Sequence, residues 1–371
     1  MSFGLRTRVL PAERPATSGG PRLIILNPLG VALSHYTDAL VHQFADAGIE
    51  TDVLSIVEPS QSGKNRFRWL AEYSSLLYSA GRRTRQRNSS EQVLLTWPVL
   101  GFLDLLLVKA FCGDSGVIVY HDPQPLVRAV GSSKAVAGLV RLVKNRPGTL
   151  VHSNVAADAM DAVGLTNGLM LVPHPMLPPA EPEKQSNATL DAGRRPRVRV
   201  LGQYKADRDL ALLTSLAGRL GSNYDLDIVG RGWPAVEGWN VDARFVPEDE
   251  LDELIGTSDA IVIPYKRFYQ SGIAIRALEQ AVPIVGRVGT SLDDLYGPQS
   301  RLLVAAKDEA PGLEVEAWAS AIEYAMGPGK AETLRAAKIF HNEAAKGWGL
   351  LGRRLLAKAS ARRFTGGLKG P

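Results

Sequence analysis

Short apolar runs alternate with stretches of helical periodicity twice along this chain, on either side of a segment where the pattern fails. Apolar residues spaced for a strand cannot also line one face of a helix, so each change of period marks a new element. The first series predicts a strand at Arg22–Asn27, a turn at Pro28-Leu29-Gly30, a helix at 36–47 and a strand at 52–57. Strands follow at 93–97, 117–120, 150–152 and 169–172, with helices at 65–88, 103–111, 135–143 and 156–163. Over 176–196 the periodicity stops, and Pro178, Pro179, Pro182 and Pro196 stand among Glu, Lys, Ser and Asn. That is linker composition. The second series predicts strands at 197–202, 226–230, 243–246, 260–264, 283–286 and 302–304. Its helices fall at Leu210–Leu220, 248–255 and 272–280, with closing helices at 313–325, 331–345 and 350–361. Such alternation builds βα units and parallel sheets covered on both faces. The expected fold is α/β, with two doubly wound domains facing each other. The chain divides into an arm (1–21), a first domain (22–180), a linker (181–196), a second domain (197–345) and a last helix with a basic tail (346–371).

Length agrees, since 371 residues exceed the ~150-residue domain prior more than twofold. Hydrophobic residues at 45% and charged residues at 22% exclude a disordered or collagenous chain. The single cysteine, Cys112, cannot form an internal disulfide or hold a zinc ion alone, which points to a reducing, cytoplasmic setting. An excess of 43 basic over 38 acidic residues gives +5, which suits anionic partners. The first 21 residues lack the apolar stretch of a secretory leader. The greasiest run, 93–111, is broken by Pro98, Gly101 and Asp104, so it reads as strand, turn and helix rather than a bilayer span.

Several motif-like strings carry no chemistry. Ser62-Gly63-Lys64-Asn65 lacks the hydroxyl that follows the lysine of a phosphate loop, and position 58 holds Glu instead of Gly. Gly113-Asp114-Ser115-Gly116 echoes a serine-protease nucleophile, but it sits where a helix-to-strand turn needs these residues. No G-x-G-x-x-G follows the first strand. The six histidines show no metal-ligand spacing, and Asp225-Leu226-Asp227 opens a strand as a surface pair, so no metal is expected. No RNA- or DNA-binding signature accompanies the basic residues, which excludes nucleic acid as a partner.

In parallel α/β sheets ligands sit beyond the carboxyl ends of the strands. The most informative such turn lies in 264–286, where a strand end and an aromatic-basic loop lead to Ser271-Gly272 at a helix start. Free amides there make an anion site, and Ser271 is placed to cap the helix. Glu279 follows eight residues later, about 12 Å along the axis. The same residues also suit an ordinary capped helix with a surface glutamate.

This segment resembles the donor motif of GT-B glycosyltransferases, especially glycosyltransferase family four, in which two glutamates flank seven residues. Glu279 matches the second glutamate, which in the family meets the nucleotide ribose. Ser271 stands where the first would be, a departure at the sugar contact. Gly272 and Ile273 match positions whose amides meet donor phosphate or sugar. Gly202-Gln203-Tyr204-Lys205 with Arg208 resembles the family's basic pair, so Lys205 and Arg208 are expected on the diphosphate. Gly230 matches the glycine turn beside the nucleotide, with Arg244-Phe245-Val246-Pro247 flanking the base, and Gly30 matches the turn facing the cleft from the acceptor side. Tyr120-His121-Asp122-Pro123 resembles the His-Asp-Pro stretch of related enzymes. His152 and His174 lie in further stretches similar to that group, and the helix bearing Trp348 resembles the segment that crosses back to the first domain.

The resemblance implies a metal-independent glycosyltransferase of exopolysaccharide, glycolipid or cell-envelope synthesis, with a UDP- or GDP-type nucleotide sugar as substrate and no further cofactor. His121 is the first candidate to touch the donor sugar or reacting hydroxyl; His35 and Asp122 are candidates for acceptor activation. The acceptor is expected to be a glycan or a lipid-linked hydroxyl. The helix at 65–88 carries Phe67, Leu70, Tyr73, Leu77 and Ala80 on one side. Lys64, Arg66, Arg68, Arg82, Arg83, Arg85 and Arg87 crowd its ends against Glu72 alone, which suits peripheral attachment to an anionic inner membrane face or, equally, an internal helix with a solvated loop. Two other readings stay open: an inert GT-B binding module, and a nucleotide-sugar epimerase on the same scaffold.

Overall fold

A computed structural model describes residues 21–86, 90–125, 131–180, 193–305 and 311–366. Residues 1–20 of the arm, Arg87, and 181–192 of the expected linker lie outside the described residues, as do the side chains of Arg362 and Arg363. In the first half, β1 (Arg22–Asn27), α1 (Ser34–Asp46), β2 (Glu50–Ser55), α2 (Pro59–Ser62), α3 (Arg66–Thr84) and β3 (Gln92–Leu95) come first. They are followed by α4 (Asp104–Cys112), β4 (Gly116–Val119), α5 (Lys134–Arg141), β5 (Gly148–Val151), α6 (Asn154–Asp161) and β6 (Leu169–Leu171). The second half holds β7 (Arg197–Leu201), α7 (Leu210–Leu220), β8 (Asp225–Val229), β9 (Asn240–Asp242), α8 (Glu248–Gly256), β10 (Ala260–Val262) and α9 (Gly272–Glu279). Then come β11 (Ile284–Arg287), α10 (Asp293–Tyr296), β12 (Leu303–Val304), α11 (Pro311–Met326) and α12 (Pro328–Gly366).

Two six-stranded sheets result, ordered β2-β1-β3-β4-β5-β6 and β12-β11-β10-β7-β8-β9. All the pairings are parallel, as the alternation of strands and helices predicts. Because side chains alternate faces, Ile24 and Leu26 pack on α3 and α4 in one core while Leu23 and Ile25 pack on α1 and α12 in another. Each of these four is fully buried and contributes about 1.5–3 kcal/mol. The second sheet is lined in the same way on both faces. Among the described residues no helix is long and apolar enough to cross a membrane.

Three expectations need correction. The strand expected at 243–246 lies upstream, at Asn240–Asp242. Arg244 instead folds back on Asp242 and Glu250, and Pro247 opens α8, so this segment turns rather than extends. The two closing helices are one, Pro328–Gly366, of 39 residues. Gly347 and Gly349, between the two expected helices, and Gly352 within the second are close-packing positions: a Cβ on Gly352 would lie 2.4 Å from Ile49 Cδ1. Trp348, fully buried, donates to the Pro173 carbonyl at 2.9 Å and meets Phe44 edge-on, so the helix crosses from the second sheet's layers to α1. Third, α3 turns Tyr73, Leu77 and Ala80 into the core and leaves Phe67 80% exposed, so the apolar side does not act as one surface. Its cations are also partly neutralised: Arg83 pairs with Asp52 and Glu91, and Lys64 with Glu72.

Candidate functional site in the cleft

The carboxyl ends of both sheets face each other, and the predicted site residues gather there. Gly202 and Gly230 form adjoining turns after β7 and β8. A Cβ on Gly230 would stand 2.2 Å from the Gly202 carbonyl oxygen, so only glycine permits this approach. Trp233 donates its indole N–H to the same carbonyl at 2.8 Å and holds the turn. Gly202 takes φ +91°, the left-handed region.

Arg208 lies buried beneath this turn. Its guanidinium sits 4.6 Å from the ring centres of both Trp233 and Tyr265, and Nη2 donates to the Leu201 carbonyl at 3.0 Å. Its Nε has no hydrogen-bond partner, and among the described residues no carboxylate pairs with it. Burial pulls its pKa below the usual guanidinium value. A buried cation without a counter-ion is costly. The missing side chain of Gly202 exposes it to a ligand: a Cβ there would lie 3.3 Å from Arg208 Nη2 and 3.8 Å from Ile273 Cγ1. Lys205, whose carbonyl accepts from the Arg208 amide, is exposed at the lip.

Ile273 belongs to the first turn of α9. Ser271 caps that helix as expected, its hydroxyl accepting from the Ala274 amide at 3.2 Å. The amides of Gly272 and Ile273 have no partner among the described residues, and the Gly272 Cβ position faces open space. The structure therefore brings Lys205, Arg208, Gly202, Gly230, Gly272 and Ile273 to one place. Positive partial charge at the helix start adds to the two cations.

Glu279 ends α9, at the far end from this group. One carboxylate oxygen accepts from the Leu177 amide at 2.7 Å and the other meets His35 Nε2 at 2.7 Å; its carbonyl accepts from Ala180. His35 and Glu279 thus touch across the two halves. Gly30 sits in a pinned loop beside α1: Gly30 donates to the Ile56 carbonyl, and a Cβ would lie 2.9 Å from that oxygen. Glu58, which spoils the resemblance to a phosphate loop, accepts from the amides of Val31 and Ala32 and fixes the loop. Nothing in its sequence neighbourhood signals this.

His121 is buried, stacked on Trp97 at 5.3 Å. Its Nε2 donates to the Thr96 carbonyl at 2.8 Å, and burial lowers its pKa to about 4, so the ring is neutral. Nδ1 meets the side-chain oxygen Oε1 of Gln270, which reaches the ring from the second half. Tyr36, His152 and His174 complete a cluster in which the Tyr36 hydroxyl donates to His152 Nε2 at 3.1 Å. Both His152 and His174 are pushed well below the usual histidine pKa, by burial first and by each other's or His121's charge second. Asp122 lies close enough to Tyr269 to raise that phenol's pKa, behind burial as the larger cause.

Sequence reasoning missed the clasp that closes this end of the cleft. Tyr269, from the loop before α9, is buried in the core of the first half, and its carbonyl accepts from the Ser153 hydroxyl at 2.6 Å. Asp294 of α10 accepts from the Asn154 amide at 3.0 Å, at the first turn of α6. A cavity of about 20 Å³ remains among His152, His174, Gln270, Ser271 and Asp294, room for a water and far short of a sugar ring. Among the described residues no group of three or more His, Cys, Asp or Glu side chains is placed to hold a metal ion.

Several solved structures share this architecture at low sequence identity. A sucrose-phosphate synthase from Thermosynechococcus elongatus superposes with a TM-score of 0.63 at 15% identity, over 91% of this chain and 100% of that one. The fold is GT-B. HepE of Anabaena, solved with UDP and glucose, gives 0.59 at 10% identity over 91% and 100%. An α,α-trehalose 6-phosphate synthase from Burkholderia multivorans gives 0.58 at 10% over 92% and 99%. No family model matches the sequence, and no curated protein matches it. At these identities the likeness concerns the fold.

Proposed function

We propose that this GT-B chain is a glycosyltransferase that moves a sugar from a nucleotide-diphosphate donor to a hydroxyl acceptor. The observation that carries this reading is Arg208: a guanidinium buried with no counter-ion among the described residues, opened toward the cleft by Gly202, beside the amides that start α9 and have no partner among those residues. A diphosphate leaving group gains negative charge as the glycosidic bond breaks, and fixed donors already aimed at it lower the barrier. Lys205 adds an exposed charge that attracts the donor, and Gly230 lets the nucleotide approach the backbone. Glu279 takes the ribose hydroxyls; a carboxylate accepts about four hydrogen bonds, so its two present partners leave capacity. His121, neutral, meets the donor sugar or the acceptor hydroxyl once Gln270 is withdrawn, with His35, which follows the Gly30 loop, and Asp122 as the acceptor-side groups.

HepE, solved with UDP and glucose, makes uridine nucleotides the first probes. A family-four type of donor site in exopolysaccharide, glycolipid or cell-envelope synthesis is the finer reading, supported by the motif order. Attachment to an anionic membrane face would use Phe67 and Tyr78 with Arg66 on α3, all exposed; Arg68, also exposed, shares Glu72 with Lys64.

Thermal melting with UDP, GDP and their sugars tests the proposal, because a ligand at a hundred times its Kd adds about 2.7 kcal/mol to folded-state stability. A rise with one nucleotide, followed by sugar transfer to an acceptor, is expected. No rise with any of them refutes the donor site. The Ser271 cap in place of a glutamate favours one competing reading, an inert binding module: it predicts a rise without transfer or hydrolysis. An epimerised nucleotide sugar formed without acceptor would instead mark an epimerase.

A further inference from the structure

A second concentration of positive charge lies on the other side of the first sheet. The loop between α5 and β5 and the turn before β6 surround a hollow of about 420 Å³ lined by Arg141, Val143, Lys144, Asn145, Arg146, Asn167 and Gly168. These residues precede β5 and β6, so the hollow opens at the amino ends of the strands, whereas His152 and His174 follow the same strands into the cleft. Its volume falls within the usual range of small-molecule sites.

Two of the three cations are positioned by the fold, and among the described residues none of the three is ion-paired. Arg141 lies across Gly164, where a Cβ would stand 2.5 Å from its Nη1; that glycine, at φ +69°, leaves the space the guanidinium occupies. Arg146 donates from Nη2 to the Asn167 carbonyl at 3.4 Å, a long bond, while its Nη1 is buried with no partner. Lys144 is exposed between them. Among the described residues none of the three has a carboxylate within ion-pair distance, and no acidic side chain lines the hollow. The amides of Lys144 and Asn145 also donate to nothing among the described residues. Asn145 takes φ +51° and Gly168 φ +77°, and the Cβ position of Gly168 meets open space. Three like charges held around one space repel each other unless an anion sits between them.

We infer that this hollow is a phosphate-binding site, separate from the donor cleft, which takes the phosphate or pyrophosphate group of a small phosphorylated molecule. Guanidinium forks match phosphate oxygens in geometry, and the lysine supplies a third charge. The inference does not depend on the reaction proposed for the cleft. A free phosphorylated metabolite and the headgroup of an anionic lipid present the same chemistry.

Inorganic pyrophosphate, titrated calorimetrically into the full chain, tests it. Since the cleft also suits pyrophosphate, the titration is run in an Arg208→Met background. One binding event should remain there, and adding Lys144→Glu should weaken it tenfold or more. Arg141→Ala should act in the same direction, and its melting point and that of Lys144→Glu, measured without ligand, should match the parent's. Vesicles containing phosphatidylglycerol form the second arm. Vesicle binding that Lys144→Glu abolishes, without binding of free pyrophosphate, supports a phosphate presented by lipid. Loss of all pyrophosphate binding on Arg208→Met alone, with no vesicle binding, overturns the inference. Residual binding that neither Lys144→Glu nor Arg141→Ala alters overturns it as well.

Discussion

Replacing Arg208 with methionine separates ligand binding from folding more cleanly than any other change in the cleft. Methionine keeps an unbranched stem between the Trp233 and Tyr265 rings and removes the charge. On the folding side the variant loses the bond to the Leu201 carbonyl, about 1 kcal/mol, and two cation–π contacts worth about 1–2 kcal/mol each when desolvated. It also escapes the desolvation of an unpaired cation, which costs several kcal/mol. These terms oppose each other, so stability should change by less than about 2 kcal/mol. On the binding side nothing compensates: a hydrogen bond to a charged group is worth about 1.5–3 kcal/mol, which raises the Kd for UDP about 10- to 150-fold. Calorimetric UDP titrations and thermal melts of parent and variant read the two quantities independently. Salt supplies a control. A buried charge is weakly screened, so the Arg208 ratio should persist at high ionic strength, while the effect of Lys205→Ala should fade. A variant that binds UDP as tightly as the parent but melts several degrees lower would show Arg208 to be structural, and the donor-site reading would fall with it.

Tyr269→Ala should loosen the clasp between the halves, giving a larger radius of gyration in small-angle scattering with unchanged helix content; an unchanged radius would mean that the Asp294–Asn154 contact and its neighbours hold the cleft alone. Acid should destabilise the fold through His121. Its folded pKa of about 4 lies below the ordinary 6.5, so the unfolded chain alone takes the proton in between. Stability is then complete above 6.5 and is lost as the pH falls toward 4, by up to about 3 kcal/mol. Urea unfolding of His121→Asn at several pH values should show a shallower dependence than the parent, and an equal slope would reject the assignment. Gly81→Ala should cost about 1–3 kcal/mol, because its Cβ would lie 2.2 Å from the Phe111 carbonyl oxygen where α3 crosses α4. Gly138→Ala, in the open on α5, should instead gain about 0.5–1 kcal/mol in the same melting assay.

Much of the fold is legible because its signals are local. Arg22–Asn27 and Leu210–Leu220 read correctly to the residue, since apolar spacing and flanking turn residues act over a few positions. The division of α12 at 345–350 is wrong for the opposite reason: Gly347, Gly349 and Gly352 answer to Val172, Ala47 and Ile49, which are distant in sequence. The candidate site divides in the same way. Ser271 as a cap and Gly202 at the turn after a strand follow from their neighbours, and so are visible in a linear reading. Glu58 under the Gly30 loop, Tyr269 in the opposite core and the contact of His35 with Glu279 are not, because each joins residues from separate elements.

By itself the amino-acid sequence determined that two parallel sheets form and that glycine-bearing turns follow their strands, since period and backbone freedom are properties of short segments. Only the tertiary structure decided which turns meet, that Arg208 is buried without a counter-ion, and that the loop before α9 closes on the other half. Burial and charge pairing depend on what surrounds a side chain in three dimensions, and that environment is assembled from segments far apart in the chain, 244 residues for His35 and Glu279 and 304 for Phe44 and Trp348.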